Sequence, residues 1–132
     1  MNTLLAAAAA FAFLSASAAA QSAEVPGDAA RGETVYRERC AACHSLDANR
    51  VGPAHRGVYG RRAGAAPGYA YSKALRESGV VWNEETLDRW LQNPEAFIPG
   101  QRMNYRLSDA ELRGDVIAYL RTQPAASAEK TR

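Results

Sequence analysis

The chain has 132 residues and a formal net charge of +2, from 16 lysines and arginines against 14 aspartates and glutamates. At about 100 to 200 residues per domain, this length holds one compact domain and excludes a two-domain enzyme. The near balance of charge argues against a protein that coats nucleic acid or another polyanion. Only two cysteines occur, so a scaffold of several disulfides is also excluded.

The first 20 residues have the pattern of a secretory signal peptide. They carry no charged side chain, run apolar from Leu4 to Leu14, and end in three alanines before Gln21, which resembles a signal cleavage site. An apolar stretch of about 11 residues falls short of the ~20 that a spanning helix needs. We therefore expect cleavage after Ala20, export to the periplasm and no stable membrane insertion. Because no Lys or Arg precedes the apolar stretch, an uncleaved membrane anchor is the alternative.

The first predicted helix begins after Asp28, a common N-cap residue, and leads directly into the two cysteines. The last predicted helix begins at the capping-box pattern from Ser108 to Glu111 and is stopped by Pro124. Small and apolar residues form one stripe of the first helix: Ala29, Gly32, Val35, Tyr36 and Cys40.

A third helix is predicted between these two. It begins after Asn83, has two acidic residues in its first turn and ends at Pro94. A short turn is expected to begin at Ser72. Residues 124–132 have no apolar periodicity and are expected to form a flexible tail. The domain is therefore predicted to span residues 21–123.

The segment from residue 45 to residue 71 contains seven glycines and prolines, which exclude a regular element there. A structureless stretch of that length is uncommon in a small domain unless something else organises it. Three short helices also offer few large apolar side chains for a domain of this size. A large apolar cofactor would supply the missing core.

Cys40-Ala-Ala-Cys43-His44 is the C-x-x-C-H pattern through which c-type haem is attached. Two thiols on one helical turn can each form a thioether to the porphyrin, and the adjacent imidazole then faces the iron. A low-spin haem in an electron carrier takes a second axial ligand, and a Met thioether raises its potential. Met103 is the one Met that remains after removal of the signal, and it lies in a loop bent by Pro and Gly. We predict iron bound by His44 and Met103.

Two other interpretations of these residues are open. A redox dithiol of the thioredoxin type would use both cysteines, but no strand-helix-strand pattern surrounds them. A zinc site would need Cys40 and Cys43 together with His44 and His55. The adjacent Cys43 and His44 fit a zinc tetrahedron poorly. The haem interpretation accounts for Met103 as well.

From Gly27 to Leu120 the chain resembles the small class I cytochromes c, close to the mitochondrial and alphaproteobacterial c2-like branch. The resemblance implies an all-α cytochrome c fold, with three main helices plus Gly/Pro-rich loops wrapped around one covalent haem c. It also implies that the first and last helices cross at Gly32. The matching stretches are Cys40-Ala-Ala-Cys-His44, Val51-Gly-Pro53, Gly57-Val-Tyr-Gly-Arg61, Pro67-Gly-Tyr-Ala-Tyr71-Ser72, Trp82, Trp90-Leu-Gln-Asn-Pro94, Phe97-Ile-Pro-Gly100, Met103 and Asp115-Val-Ile-Ala-Tyr-Leu120.

The resemblance also implies roles for residues around the haem. The backbone carbonyl of Pro53 would accept the Nδ1 proton of His44 and fix the ring. Trp90 would line the haem pocket near Met103. A buried propionate is costly unless it is paired or hydrogen-bonded. The groups that would meet the propionates are Arg61, Tyr71, Ser72 and Trp82.

The chain departs from the family pattern at two places. Where the family commonly has Leu-His-Gly, this chain has His55-Arg56-Gly57. His55 could face solvent, substitute for a local hydrogen bond, or compete for the iron. Gln101 stands where a Thr is usual, and Arg102 replaces a common Lys.

The predicted function is that of a monomeric electron carrier with no catalysis of its own. It would shuttle single electrons between membrane redox complexes, a bc1-type donor and an oxidase or reaction-centre acceptor. A peroxidase-like haem enzyme or a gas-binding protein is the alternative, but each needs an open iron position. No nucleic-acid partner is expected.

Charge is segregated along the chain. Residues 48–76 carry six basic side chains and no acidic one, whereas residues 77–95 carry five acidic side chains and one arginine. The molecule should therefore be a dipole. We expect partners to dock near Arg102 and Arg106, which flank Met103.

Overall fold

The structure is a computed structural model that describes residues 26–126. The predicted signal peptide and the end of the predicted tail, residues 127–132, lie outside this range. The described chain is helical and carries one isolated antiparallel bridge, between Arg62 and Val81. The three main helices were predicted; the two short ones are a five-residue and a four-residue helix. The elements are α1 (Ala29–Arg39), α2 (Lys73–Glu77), α3 (Glu84–Gln92), α4 (Pro94–Phe97) and α5 (Ala110–Arg121).

Helices α1 and α5 cross at Gly32, as the resemblance implied. A Cβ atom at Gly32 would lie 1.9 Å from the carbonyl oxygen of Asp115, so only glycine permits this approach of the two backbones. Next to the crossing, the rings of Tyr36 and Tyr119 pack with their centroids 5.4 Å apart. Val116 is buried in the same interface, with 1% of its surface exposed.

A buried carboxylate joins the first and last helices. The side chain of Asp115 is 1% exposed and accepts hydrogen bonds from the backbone N–H of Asp28 at 2.7 Å and from Nε of Arg31 at 2.8 Å. Asp28 is the N-cap of α1, as predicted, and its carboxylate accepts from the N–H groups of Ala30 and Arg31. The hydrogen bond from Arg31 lowers the pKa of Asp115 below its usual value. The carboxylate is therefore ionised at neutral pH and links the middle of α5 to the start of α1.

Helix α3 begins at the predicted N-cap. The Asn83 side chain accepts from the N–H of Thr86, and the Thr86 hydroxyl accepts from the N–H of Asn83, which completes a capping box. The helix ends at Gln92. Pro94 follows the end of α3 and is also the first residue of the short helix α4, whose N-cap is Asn93. Proline suits this first position, since a helix needs no N–H there.

The start of α5 differs from the prediction by one residue. Asp109 rather than Ser108 is the N-cap, and its carboxylate accepts from the N–H groups of Glu111 and Leu112. Ser108 has a different role: its backbone carbonyl accepts a hydrogen bond from Arg113, which also donates to the carbonyl of Leu107. The guanidinium of Arg113 is 5% exposed and pairs with Asp88 of α3. It thus ties the end of the loop after Met103 to both helices.

The segment from residue 45 to residue 71 has no helix and, apart from the bridge at Arg62, no strand. Its turns are joined by side chains that bind backbone groups across the loop. The Asn49 amide accepts from the N–H of Ala54 and donates to the carbonyl of Pro67, both at 2.9 Å. The hydroxyl of Tyr69 donates to the carbonyl of Val51 at 2.6 Å. These hydrogen bonds hold the turn at residues 49–54 against the turn at residues 67–69, although neither turn has regular secondary structure.

The core of the described chain lies between α1, α3, α5 and the long loop. Cys40 and Met103 are partly buried and pack against the edge of this core. The core residues are Val35, Tyr36, Val58, Ala63, Trp82, Leu87, Trp90, Leu91, Ile98, Leu107, Val116, Ile117 and Leu120.

Candidate functional site

The two cysteines and His44 lie on one turn at the end of α1. Cys40 is the C-cap of the helix, and its carbonyl accepts from the N–H groups of Cys43 at 3.1 Å and His44 at 2.9 Å. Both cysteines are free thiols, Cys40 partly buried and Cys43 exposed. Burial, with a smaller contribution from Cys43, raises the pKa of the Cys40 thiol to about 11. The turn therefore presents two thiols and an imidazole in sequence, and the thiol of Cys40 is neutral.

His44 is held in the form that a metal ligand requires. Its Nδ1 lies 2.8 Å from the carbonyl oxygen of Pro53, and a carbonyl can only accept, so Nδ1 carries the proton. The Nε2 atom then keeps a free lone pair. Burial of the ring lowers the pKa of His44, which favours this neutral form. Gly52 makes room for the ring, because a Cβ there would lie 2.2 Å from Cε1 of His44.

His55 lies directly against His44. The two rings are stacked with their centroids 3.9 Å apart and their planes inclined by 20°. Since His55 lies on His44, it is not at the far side of the site, where a second axial ligand would be needed. Among residues 26–126 no three Cys, His, Asp or Glu side chains are arranged to hold a metal ion. The described residues thus offer no zinc cluster of the four side chains considered above.

Met103 is positioned by a short chain of hydrogen bonds. Its backbone N–H donates to Oε1 of Gln101. The Gln101 amide donates in turn to Glu95 at 3.2 Å, and the other oxygen of Glu95 accepts from the N–H of Gly100 at 3.0 Å. Met103 lines an open cleft together with Pro94 and Glu95. The thioether therefore stands at the edge of the core on a loop fixed at both ends.

The residues expected at the propionates are partly gathered around Arg61. The Arg61 guanidinium donates to the carbonyls of Arg56 at 3.1 Å and Ala54 at 2.9 Å. Its Nε atom is buried and has no partner among the described residues. The carbonyl of Arg61 accepts from the backbone N–H of Trp82 at 2.9 Å, which places these two residues side by side. A buried, unpaired donor of this kind fits a carboxylate ligand.

Tyr71 and Ser72 lie next to each other at the start of α2 and are both buried. The Tyr71 hydroxyl accepts from the N–H of Ala66 at 3.2 Å and keeps its own proton available for donation. The Ser72 hydroxyl accepts from the N–H of Leu75 as the N-cap of α2, so its proton is available too. Burial raises the pKa of Tyr71, which keeps the phenol protonated.

Trp90 lies in the core, 9% exposed. Its ring packs against that of Trp82 with the centroids 5.3 Å apart and the planes at 56°. This tilted arrangement is favourable for aromatic rings. The position is consistent with a residue that lines a pocket from the core side.

Two residues at the site were not anticipated from the sequence. Arg50 donates to the carbonyl of Ala41 at 2.6 Å and to that of His44 at 3.4 Å, so it caps the turn that carries the cysteines. No local pattern marks an arginine for this role. Asn49 bridges two turns of the loop, and here a signal existed, because Asn often binds backbone groups in Gly/Pro-rich segments. The contacts of Arg50 form when the loop after the cysteines folds back on the turn, and the contact of Asn49 with Pro67 joins two parts of the long loop 18 residues apart.

Fold and site together define a mono-haem protein of the c type, and comparison with known proteins agrees. The Cytochrome c family profile matches residues 29–124. Cytochrome c2 of Rhodomicrobium vannielii is 42% identical over 106 residues, covering 77% of this chain and 84% of that protein. Cytochrome c of Gibberella zeae is 40% identical over 99 residues, covering 72% and 93%. The chain belongs to the cytochrome c family.

Solved structures show the same relationship. Cytochrome cH from Methylobacterium extorquens superposes with a TM-score of 0.70 at 45% identity, over 73% of this chain and 99% of that one. Ferricytochrome c2 from Rhodopseudomonas palustris gives a TM-score of 0.68 at 36% identity, over 73% and 98%. These relatives are electron carriers and not enzymes.

The cofactor of the family is covalent haem c with its iron, and Cys40 and Cys43 are the attachment thiols. The residues of this chain fit that group. Two free thiols stand on one turn beside an imidazole with a free Nε2, and a thioether lies at the edge of the same core. The unpaired Nε of Arg61 adds a donor for a carboxylate. No helix within residues 26–126 is long and apolar enough to cross a membrane.

Proposed function

We propose that this protein carries single electrons in the periplasm between membrane redox complexes, with its haem iron bound by His44 and Met103. The observation that supports this most directly is the hydrogen bond of 2.8 Å between Nδ1 of His44 and the carbonyl of Pro53, which leaves Nε2 for the iron. When bound, the haem supplies an iron that takes up and releases one electron.

The surrounding residues orient these ligands and neutralise charge. Pro53 fixes the tautomer of His44 and strengthens its donation to a metal. Gln101 holds the backbone of Met103. Trp90 lines the haem pocket from the core. The donors assigned to the propionates are Arg61, Tyr71, Ser72 and Trp82.

Export rests on the first 20 residues, which act as a signal peptide cleaved after Ala20. The mature protein then consists of the cytochrome domain, residues 21–123, and a C-terminal tail, residues 124–132. N-terminal sequencing of the protein from a periplasmic extract should begin at Gln21. A protein that stays in the membrane fraction and begins at Met1 would support the anchored alternative.

Docking of partners is assigned to Arg102 and Arg106, both exposed on either side of Met103. In the basic stretch of residues 48–76, most of the arginines are held in place by local contacts. Arg56 pairs with Asp47, and three others donate to backbone carbonyls: Arg50, Arg61 and Arg76. A basic rim near the thioether would steer the protein to acidic patches on a bc1-type donor and an oxidase or reaction-centre acceptor. The carrier itself is a monomer.

Ligand binding separates a carrier from the peroxidase-like or gas-binding alternative. With His44 and Met103 both bound, the ferrous holoprotein should not bind carbon monoxide and the ferric holoprotein should not turn over hydrogen peroxide. Met103→Ala is the positive control, because it opens one iron position and should bind carbon monoxide. Rapid carbon monoxide binding or peroxide turnover by the unmodified protein would contradict the proposal.

A further inference from the structure

The ring of His55 packs against two other rings near the site, those of His44 and Tyr36. Its ring is stacked on His44 with a centroid separation of 3.9 Å. The rings of His55 and Tyr36 pack edge to face, with their centroids 5.7 Å apart and their planes at 63°. The Nδ1 atom of His55 is buried and has no hydrogen-bond partner among the described residues. The pattern Leu-His-Gly, which the family commonly has at this point, assigns no role to the ring of His55.

The surroundings of His55 argue against two of the roles considered from the sequence. The residue is half-buried and its Nδ1 is buried without a partner among the described residues, so the ring neither projects fully into solvent nor replaces a hydrogen bond through that atom. Its principal contact is the flat surface that faces His44. Stacking on another ring uses that surface.

The backbone fixes His55 in this position. Its N–H donates to the carbonyl of Ser45, the residue next to His44, at 2.9 Å. Its own carbonyl accepts from the N–H of Val58 at 2.8 Å, and Val58 belongs to the core. These two backbone hydrogen bonds hold His55 beside His44 and against the core.

Three contacts restrain the His44 ring from three directions. Pro53 holds the Nδ1 edge through a hydrogen bond, which together with the bond to Cβ restrains rotation of the ring but leaves its two faces to other contacts. A Cβ at Gly52 would lie 2.2 Å from Cε1 and 2.6 Å from each ring nitrogen, which places Gly52 over a face of the ring. The three heavy atoms nearest to this Cβ position all belong to His44 and none to His55. Gly52 and His55 therefore lie on different sides of the His44 ring.

We propose that His55 is a positioning residue whose ring sets the rotational orientation of the His44 imidazole. Pro53 fixes the tautomer and restrains the ring at its Nδ1 edge, and the stack with His55 supports the plane from one face. The inference rests on the proposed ligation of iron by His44. It concerns the plane of that ligand, which the hydrogen bond and the stack set together.

The test measures the ¹H NMR shifts of the haem methyl groups in the ferric holoprotein, because the plane of an axial imidazole sets how unpaired spin is distributed over the porphyrin. His55→Ala should change the pattern of these shifts. His55→Phe, which keeps a flat ring, should return the pattern towards that of the unmodified protein. His55→Leu fills the volume without a flat ring and should resemble His55→Ala.

Ile117→Ala is the control for destabilisation, because Ile117 lies on α5, is 1% exposed and lies in the core. It should lower stability and leave the shift pattern unchanged. The proposal is overturned if His55→Ala keeps the original pattern, if His55→Leu restores it as well as His55→Phe does, or if Ile117→Ala changes it equally. Failure of the proposed ligation is distinguishable, because the unmodified protein would then lack a low-spin spectrum with an axial histidine.

Discussion

The two proposed iron ligands, His44 and Met103, are positioned by different means. His44 follows the cysteines directly, so attachment of the haem places it, and Pro53 sets its tautomer through a 2.8 Å contact. Met103 lies 59 positions further along the chain and depends on Gln101 and Glu95 to hold its loop. The thioether is therefore the proposed ligand whose identity and position can be changed without disturbing haem attachment.

Met103→His should lower the reduction potential sharply, because axial ligands move haem potentials over ~0.8 V and thioether ligation lies towards the high end. The ferric unmodified protein should also show a weak far-red charge-transfer band from sulfur to iron, and Met103→Ala should abolish it. Asn104→Ala, at the exposed neighbouring position, is the control and should keep both properties. A band that survives in Met103→Ala would mean that another group binds the iron.

The residues of the site differ in how well the sequence predicts them. Cys40, Cys43 and His44 are identifiable because two thioethers and an imidazole require one fixed local spacing. Met103 follows by elimination once the signal peptide is removed. His55 and Arg50 could not be assigned, because their contacts with His44 form only when the loop after the cysteines folds back on the turn.

At the scale of elements, side-chain caps made most helix starts predictable, and tertiary contacts explain the exceptions. Asp28 and Asn83 cap α1 and α3 as expected. At α5 two neighbouring residues could cap, and Asp109 does so while Arg113 takes the carbonyl of Ser108. A buried arginine that bridges to α3 is a tertiary feature, and no local pattern reveals it.

The crossing of α1 and α5 gives a matched pair of substitutions. Gly32→Ala should destabilise the protein by about 1 to 3 kcal/mol, the usual cost of overpacking, because the new Cβ would lie 1.9 Å from the carbonyl oxygen of Asp115. Gly114→Ala meets only an ordinary contact, 3.8 Å from Cα of Gly27. It should be neutral or stabilising by up to about 1 kcal/mol through helix propensity. Denaturant unfolding of the holoprotein measures both, and equal effects would contradict the close crossing.

The pair of Asp115 and Arg31 predicts a loss of stability in acid. The hydrogen bond from Arg31 lowers the pKa of Asp115 in the folded protein. The carboxylate therefore stabilises the fold above the pKa of an unfolded aspartate, about 3.9, and loses this contribution as the pH falls through the lower folded value. Asp115→Asn should be less stable than the unmodified protein at pH 7. The difference should shrink as the pH drops below about 4.

Urea unfolding at a series of pH values measures this difference. Glu38→Gln, at an exposed position of α1, is the control and should show little effect at any pH. A stability gap between Asp115→Asn and the unmodified protein that stays constant down to strongly acid pH would show that the charge of Asp115 is not involved.

For the whole molecule, the near-neutral net charge conceals how its charges are used. Arginines of residues 48–76 hold the long loop by donating to carbonyls, so much of the local positive charge is structural. Helices α3 and α4 carry acidic residues. Arg102 and Arg106 are the exposed basic side chains beside Met103, and we propose that they guide a partner to the haem edge.

Electron transfer to the partner complex should slow steeply as salt shortens the Debye length from ~10 Å at 0.1 M to ~3 Å at 1 M. Arg102→Glu or Arg106→Glu should slow the bimolecular rate on the order of tenfold at low salt and leave the reduction potential nearly unchanged. Arg121→Glu, on the exposed end of α5, serves as the control for total charge. Stopped-flow rates that stay flat with salt in all variants would mean that docking is apolar.

The central claim is that one covalent haem, bound by His44 and Met103, carries single electrons. Potentiometric titration of the exported holoprotein, with absorption spectra recorded at each potential, tests it most directly. We expect one reversible one-electron transition between low-spin ferric and ferrous spectra, at a high potential, with the far-red band present only in the ferric form. A high-spin spectrum, more than one transition, or haem that is extracted by acidic solvent because it is not covalently attached would contradict the claim.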